Sequence, residues 1–139
     1  MKNLLLALLL AVSATTLVTH AHAQLVIANS SIKSASISKA DLKDVFTGLA
    51  SNLKDGSRVT PVLMNAGPTT NEFLAAYIGK ADTPFRAGWH TLVFSGQVTM
   101  PKSFDSDAAV VAHVAQTPGA IGYISKSAPH DGVKILEVH

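Results

Sequence analysis

Hydrophobic and polar positions along this chain predict short strands separated by amphipathic helices. The apolar run at residues 25–28 and the run at 59–64 have the length and β-branched content of strands. Pro61 makes a central, fully paired position for the second of them unfavourable. Between the two runs, four apolar residues recur at helical spacing behind Ser38, a good N-cap: Leu42, Val45, Phe46 and Leu49. The pattern in the first half of the chain therefore predicts a strand, a helix and a second strand.

The second half of the chain predicts three helices followed by two strands. The first helix covers about 70–78, and Thr69 and Glu72 have the spacing of a capping box at its start. The other two helices and their predicted N-caps are 84–94 behind Thr83, and a helix behind Asp105 or Ser106. The strands are 120–124, after the turn at Pro118 and Gly119, and 133–138. This order predicts an α/β fold in which a small mixed sheet packs with about four helices.

The first 23 residues have the features of a secretory signal peptide. Lys2 precedes an apolar run from about residue 4 to 18, and Ala21-His22-Ala23 is a small-x-small cleavage signal. The run is short for a transmembrane helix, although an uncleaved membrane anchor is the alternative interpretation. We therefore expect a signal peptide at 1–23, a domain at 24–139, no stable membrane anchor after cleavage, and a periplasmic or secreted location.

Composition narrows the classes of function. The chain has 11 basic and 9 acidic residues, and the predicted domain is nearly neutral, so no basic surface indicates a nucleic-acid partner. Cysteine is absent, which excludes both a disulfide framework and a cysteine nucleophile. The histidines after the signal peptide do not have metal-ligand spacing, and no nucleophile elbow occurs. We expect no catalytic residues, metal site or cofactor, and therefore no enzyme.

Four segments together resemble one known protein family. They are 36–48, 53–62, 85–102 and 118–123, the last of which reads Pro-Gly-Ala-Ile-Gly-Tyr. In this order they are similar to the second lobe of the phosphate-binding proteins of ABC transporters, and the third segment resembles a small stand-alone subgroup. The resemblance implies a single lobe of the type 2 periplasmic-binding-protein-like fold.

The resemblance also implies an anion site. In this lobe the family has a strand followed by Arg-x-x-Gly-Ser-Gly-Thr-Thr at a helix start, and residues 64–70 occupy the matching place. The residues marked as anion-binding are Gly67, Thr69 and Thr70, which fit this pattern, and Asn65 as an additional side-chain donor. The arginine position holds Met64 or Asn65, and Pro68 removes one amide donor. The alternative is an ordinary helix start whose cap Glu72 already satisfies.

Two functions follow as expectations. The first is an exported solute-binding module for phosphate or another small oxyanion, in keeping with an ABC transporter substrate-binding protein. Charge-assisted hydrogen bonds contribute about 1.5–3 kcal/mol each, and about 1.4 kcal/mol is tenfold in affinity, so losing the arginine predicts weak binding. The second is an envelope protein-interaction or sensor module that keeps the fold without a ligand. Both functions are compatible with a protein partner or a homodimer.

Overall fold

A five-stranded mixed sheet organises residues 24–139, the part of the chain that the computed structural model describes. The predicted signal peptide at 1–23 lies outside the described residues. The strands are β1 (Gln24–Ala28), β2 (Ser36–Ile37), β3 (Thr60–Pro61), β4 (Leu63–Met64), β5 (Ser103–Phe104), β6 (Ala120–Ser125) and β7 (Lys134–Val138). The main sheet has the order β2-β7-β1-β6-β3, and β4 pairs with β5 in a separate two-stranded sheet. β1 runs antiparallel to β6 and β7, whereas β3 is parallel to β6 and β4 is parallel to β5.

Within residues 24–139, four α-helices pack with these sheets. They are α1 (Lys39–Phe46), α2 (Pro68–Phe73), α3 (Asp82–Phe94) and α4 (Asp107–Gln116). A π-helical turn, Leu74–Ile78, extends α2 directly. The predicted α/β class, the small mixed sheet and the four helices are confirmed, and so is the order of the longer elements.

The predicted strand at 59–64 divides into two short strands in different sheets. The N–H of Val62 donates to the carbonyl of Ile121 in the main sheet, at 2.7 Å, whereas the N–H of Leu63 donates to the carbonyl of Lys102, at 2.9 Å. The backbone thus changes partner between two neighbouring residues. β3 lies at the edge of its sheet, which agrees with the position expected for Pro61. The partner strand β5 lies between the predicted helices at 84–94 and behind Asp105 or Ser106, where the sequence predicted no strand.

Some helix caps are as predicted and others are not. Ser38 accepts a hydrogen bond from the N–H of Asp41, and Ser106 accepts one from the N–H of Ala109, each at 3.1 Å. The predicted capping box is wrong, because α2 begins at Pro68 with no side-chain cap. The predicted start of α3 is also wrong. That helix begins two residues earlier, behind Ala81 in place of Thr83.

Aromatic rings form the part of the core that lies under the β4–α2 loop. The rings of Phe73 and Tyr123 stack with centroids 4.0 Å apart, and Phe46 contacts Phe73 edge-on at 5.0 Å. Leu49, which was predicted to share the buried face of α1, is 74% exposed. α1 ends before it, and the left-handed conformation of Gly48 turns the chain away from the core.

Candidate functional site

Two parallel strands and two helix starts meet at one pocket of about 430 Å³. β4 leads into α2 and β5 leads into α4, and the N–H of Asn65 donates to the carbonyl of Phe104 at 2.8 Å. Open α/β sheets place ligands beyond the carboxyl ends of their strands, which is where this pocket lies. The lining residues are Met64, Asn65, Ala66, Gly67, Pro68, Thr69, Thr70, Asp105, Ser106 and Asp107. The pocket therefore contains all four residues marked as anion-binding.

The N-terminus of α2 opens onto this pocket without a side-chain cap. The first turn of a helix has backbone N–H groups without intrahelical partners, and here they belong to Thr69 and Thr70, because Pro68 has none. Glu72, the predicted capping partner, instead accepts a hydrogen bond from Nε2 of Gln24. The alternative in which Glu72 satisfies the cap is therefore wrong. The amide donors are left for another acceptor.

The N-terminus of α4, the other helix start at the pocket, already has a side-chain cap. Ser106 caps α4, and Oδ1 of Asp107 accepts a hydrogen bond from the N–H of Ser125 at 3.0 Å. This contact fixes the start of α4 to the carboxyl end of β6. α4 therefore shapes the wall of the pocket, and α2 supplies its free amides.

Thr70 supports the loop through its side chain. It is fully buried, and its Oγ1 lies 3.0 Å from the carbonyl oxygens of both Met64 and Asn65. The same atom is 2.8 Å from the hydroxyl of Tyr123, which also accepts a hydrogen bond from the N–H of Met64 at 3.0 Å. Burial raises the pKa of Tyr123, so its hydroxyl stays protonated at neutral pH. The hydroxyl of Thr70 therefore points away from the pocket. The other three marked residues reach the pocket surface with a side chain or a Cα atom: Asn65, Gly67 and Thr69.

Arg86 supports the backbone at the end of β4, and the sequence analysis did not predict this role. Its Nη2 donates to the carbonyl of Met64 at 2.9 Å, and its Nε donates to Oδ1 of Asp82 at 2.8 Å. The guanidinium is half-buried and holds the end of β4. The i,i+4 spacing of Asp82 and Arg86 is the sequence signal that could have indicated the ion pair.

The charge of the pocket does not favour anions. Its lining contains the carboxylates of Asp105 and Asp107, and residues 24–139 contribute no lysine, arginine or histidine to it. The sequence indicated Asp105 only as a possible N-cap of the last helix and gave Asp107 no role in a site. Their position beside residues 64–70 depends on the pairing of β4 with β5, for which the sequence has no local signal. Any anion in this pocket must be held by backbone amides and neutral side chains.

The described residues offer no competing metal or membrane feature. Within 24–139, no group of three histidine, cysteine, aspartate or glutamate residues is close enough to hold a metal ion. His113 instead contacts the ring of Phe104, with centroids 4.9 Å apart, and burial followed by the charge of Lys102 lowers its pKa. None of the described helices has the length and apolar character needed to cross a membrane.

Comparison with known proteins identifies the fold. No family model matches the sequence, and no curated protein matches it. Among solved structures, a protein described as a phosphate ABC transporter substrate-binding protein from Clostridium perfringens, with bound phosphate, matches with a TM-score of 0.64 and 20% identity. An ABC-type phosphate transport receptor from Vibrio cholerae matches with 0.63 and 16%, and PstS from Borrelia burgdorferi with 0.55 and 18%.

These matches cover one lobe. Each covers 84% of this chain but only 44%, 46% and 47% of the respective solved chain, so this chain spans less than half of their length. The described domain therefore has the fold of a single lobe of a phosphate ABC transporter substrate-binding protein. The fold that the sequence resemblance implied is confirmed.

Proposed function

We propose that this domain binds a small tetrahedral oxyanion, with phosphate as the first candidate, in the pocket between the starts of α2 and α4. The observation that carries this proposal is the uncapped N-terminus of α2, which opens onto the pocket at the carboxyl ends of β4 and β5. Free amides at a helix N-terminus attract and hydrogen-bond anions. The likeness in fold to a protein solved with bound phosphate supports the choice of ligand.

Each marked residue has a separate role in the proposed site. The backbone N–H groups of Thr69 and Thr70 donate to the anion, and the hydroxyl of Thr69 and the side-chain amide of Asn65 are further donors. At Gly67, a Cβ atom would meet only the carbonyl oxygen of Asn65, at 4.0 Å, so the glycine leaves this side of the pocket open. Thr70 acts through its backbone, because its hydroxyl holds the loop.

The expected affinity is low. Two unit charges about 4 Å apart interact by about 1 kcal/mol in water and by about 4 kcal/mol near a protein surface. The carboxylates of Asp105 and Asp107 therefore oppose the attraction of the amides. With no cation among the described lining residues, we expect dissociation constants of the order of millimolar, since about 4 kcal/mol of binding free energy corresponds to about 1 mM.

The wider role that we propose is solute binding by an exported protein. A periplasmic or secreted location rests on the signal peptide predicted at 1–23, and a mature protein that begins at Gln24 in mass spectrometry would support it. We assign no enzymatic activity or cofactor to the domain. The ligand-free protein-interaction module has less support, because the matched structures are solute-binding proteins.

The proposal is tested by titrating the ¹⁵N-labelled protein with phosphate at low ionic strength and following its amide resonances. We expect saturable shifts at Thr69 and Thr70. Two isosteric substitutions change the charge of the pocket without changing its shape. Asn65→Asp should weaken binding and Asp105→Asn should strengthen it, each by about 3–10-fold, as expected for a charge change of about 1 kcal/mol.

A third substitution controls for net charge. Asn52→Asp adds the same charge at an exposed residue outside the pocket lining and should change the affinity by less than about twofold. If phosphate produces no saturable shift at Thr69 or Thr70, or if all three variants change the affinity equally, the pocket is not the site.

A further inference from the structure

A second cavity, of about 500 Å³, lies at the other end of β6. β6 begins beside it, immediately after Gly119, and ends at Ser125, which is bonded to the first pocket through Asp107. Three segments form its walls: the loop after β1, the turn at 55–58 and the turn before β6. The N–H of Gly119 donates to Oγ of Ser31 at 2.9 Å, which joins two of these walls.

The loop after β1 is held in place by hydrogen bonds from two sides. Asn29 is 94% buried; its Nδ2 donates to the carbonyl of Val114 at 2.8 Å and its Oδ1 accepts from the N–H of Ser31 at 2.9 Å. From the other side, Nζ of Lys134 donates to the carbonyl of Ile32 at 2.6 Å. The cavity is therefore formed before any ligand arrives, which lowers the entropic cost of binding.

The cavity has the opposite charge from the first pocket. Lys33 and Arg58 line it, and neither forms an ion pair with any carboxylate among residues 24–139. Its single acidic lining residue, Asp55, already accepts hydrogen bonds from the hydroxyl of Ser34 and the N–H of Ser57. Two cations thus face a cavity whose one carboxylate is bonded to Ser34 of the loop after β1 and to Ser57 of its own turn.

We propose that this cavity binds a small organic anion with two carboxylate groups. The two unpaired cations suit two acidic groups, and the planar guanidinium of Arg58 matches a carboxylate in two-point geometry. Oγ of Ser31 accepts its bond from Gly119, so its proton is available to a ligand oxygen. The volume falls in the range of roughly 300–1,000 Å³ that is typical of sites for small organic ligands. This site is independent of the proposed oxyanion pocket.

The test uses succinate as the probe and the ¹⁵N-labelled protein. Succinate should produce saturable shifts at the amides of Gly56, Ser57 and Gly119. Succinamide, which has the same carbon skeleton without charge, should not. Arg58→Gln and Lys33→Gln should each weaken succinate binding at least about fivefold, because each removes one charge-assisted contact.

Lys126→Gln is the matched control. It removes one exposed positive charge outside both cavities and should change the affinity by less than about twofold. Absence of saturable shifts at the three amides overturns the proposal, and so does unchanged affinity in both Arg58→Gln and Lys33→Gln. Shifts confined to Asn65 and Thr69 also overturn it. Since phosphate binding is measured at Thr69 and Thr70, the two proposals fail or succeed separately.

Discussion

At the scale of single residues, Thr70 and Tyr123 determine the shape of the loop that leads into α2. Their hydroxyls bond to each other at 2.8 Å and to the backbone of Met64 from two directions. All of these polar atoms are buried, so each hydroxyl satisfies groups that water does not reach. The loop amides that we propose as donors therefore depend on side chains that lie behind them.

The first prediction concerns the buried hydroxyl of Thr70. Thr70→Val keeps the shape of the side chain but leaves the hydroxyl of Tyr123 and two carbonyls with one partner fewer. We expect the free energy of unfolding to fall by about 1–3 kcal/mol, the cost of an unsatisfied buried polar group. Thr91→Val makes the same chemical change at an exposed position and should cost less than about 0.5 kcal/mol. Urea denaturation of both variants measures the difference, and equal losses would contradict it.

The second prediction concerns the acid titration of Asp55. The Ser34 hydroxyl, followed by the N–H and hydroxyl of Ser57, lowers the pKa of Asp55 from 3.8 to about 2. Since the folded pKa lies below the unfolded one, these bonds stabilise the fold above pH 3.8, and their contribution is lost as the pH falls towards 2. The carboxyl resonance of Asp55 should therefore titrate near pH 2. In Ser34→Ala its midpoint should rise, and an unmoved midpoint would exclude Ser34 as the main cause.

At the scale of elements, the turn between α4 and β6 requires a glycine. Gly119 has φ of +78°, and a Cβ atom there would lie 2.7 Å from the backbone carbonyl oxygen of Arg58. Backbone atoms cannot move aside as the end of a flexible side chain can. The turn is thus fitted against the start of β3, and both contribute to the second cavity.

The third prediction separates contact from backbone strain at two glycines. Gly119→Ala and Gly56→Ala both place an alanine at positive φ, at a cost of about 1–2 kcal/mol each. The alanine at 119 also meets Arg58, whereas the one at 56 has nothing within 4 Å. We expect Gly119→Ala to lower the free energy of unfolding by at least about 1 kcal/mol more than Gly56→Ala does. Thermal or urea denaturation measures both losses. Equal losses would contradict the prediction, because they would mean that the chain relieves the contact between residue 119 and Arg58 at no cost.

Elements with local causes could be predicted from the sequence, and elements with distant partners could not. Ser38 caps α1 through a group three residues away, so the spacing alone indicates it. Glu72 has the same local signal, but its carboxylate bonds to Gln24, 48 residues away. The division of 59–64 into β3 and β4 likewise depends on two different distant strands.

In the candidate site, too, residues with local signals could be predicted and residues placed by distant contacts could not. The sequence indicated Asn65, Gly67 and Thr69 because they share one loop with a family motif, and the pocket contains them. It also indicated the hydroxyl of Thr70, which the packing of Tyr123 directs to the interior. Asp105, which changes the charge of the pocket, is brought there by strand pairing alone.

At the scale of the whole molecule, one continuous core joins the two sheets and the four α-helices of residues 24–139. Trp89 is the sole tryptophan of the chain; it is 4% exposed, and its indole N–H donates to the carbonyl of Phe46 at 2.8 Å. α3 is thereby tied to the end of α1. Nothing in the described core divides it into parts that could unfold separately.

The fourth prediction is therefore a single cooperative unfolding transition. The fluorescence of Trp89 reports on α1 and α3, whereas far-UV circular dichroism reports on all helices and strands. Small single domains usually unfold in two states, so the two signals should give the same urea midpoint. A fluorescence midpoint that precedes the loss of secondary structure would show that α3 detaches independently.

Charge also distinguishes the two ends of the molecule. The pocket at the start of α2 has free amides and two carboxylates, and the cavity at the start of β6 has two unpaired cations. The sequence resemblance implies an anion site only at the first of these, whereas electrostatics favours the second.

The oxyanion pocket is tested most directly by anomalous diffraction from crystals of this protein grown with arsenate, a tetrahedral oxyanion that can be located by its scattering. We predict an arsenic peak in the pocket, with oxygens at about 2.7–3.2 Å from the backbone nitrogens of Thr69 and Thr70. A peak that is absent there at saturating arsenate, or that lies only beside Lys33 and Arg58, would contradict oxyanion binding at the start of α2.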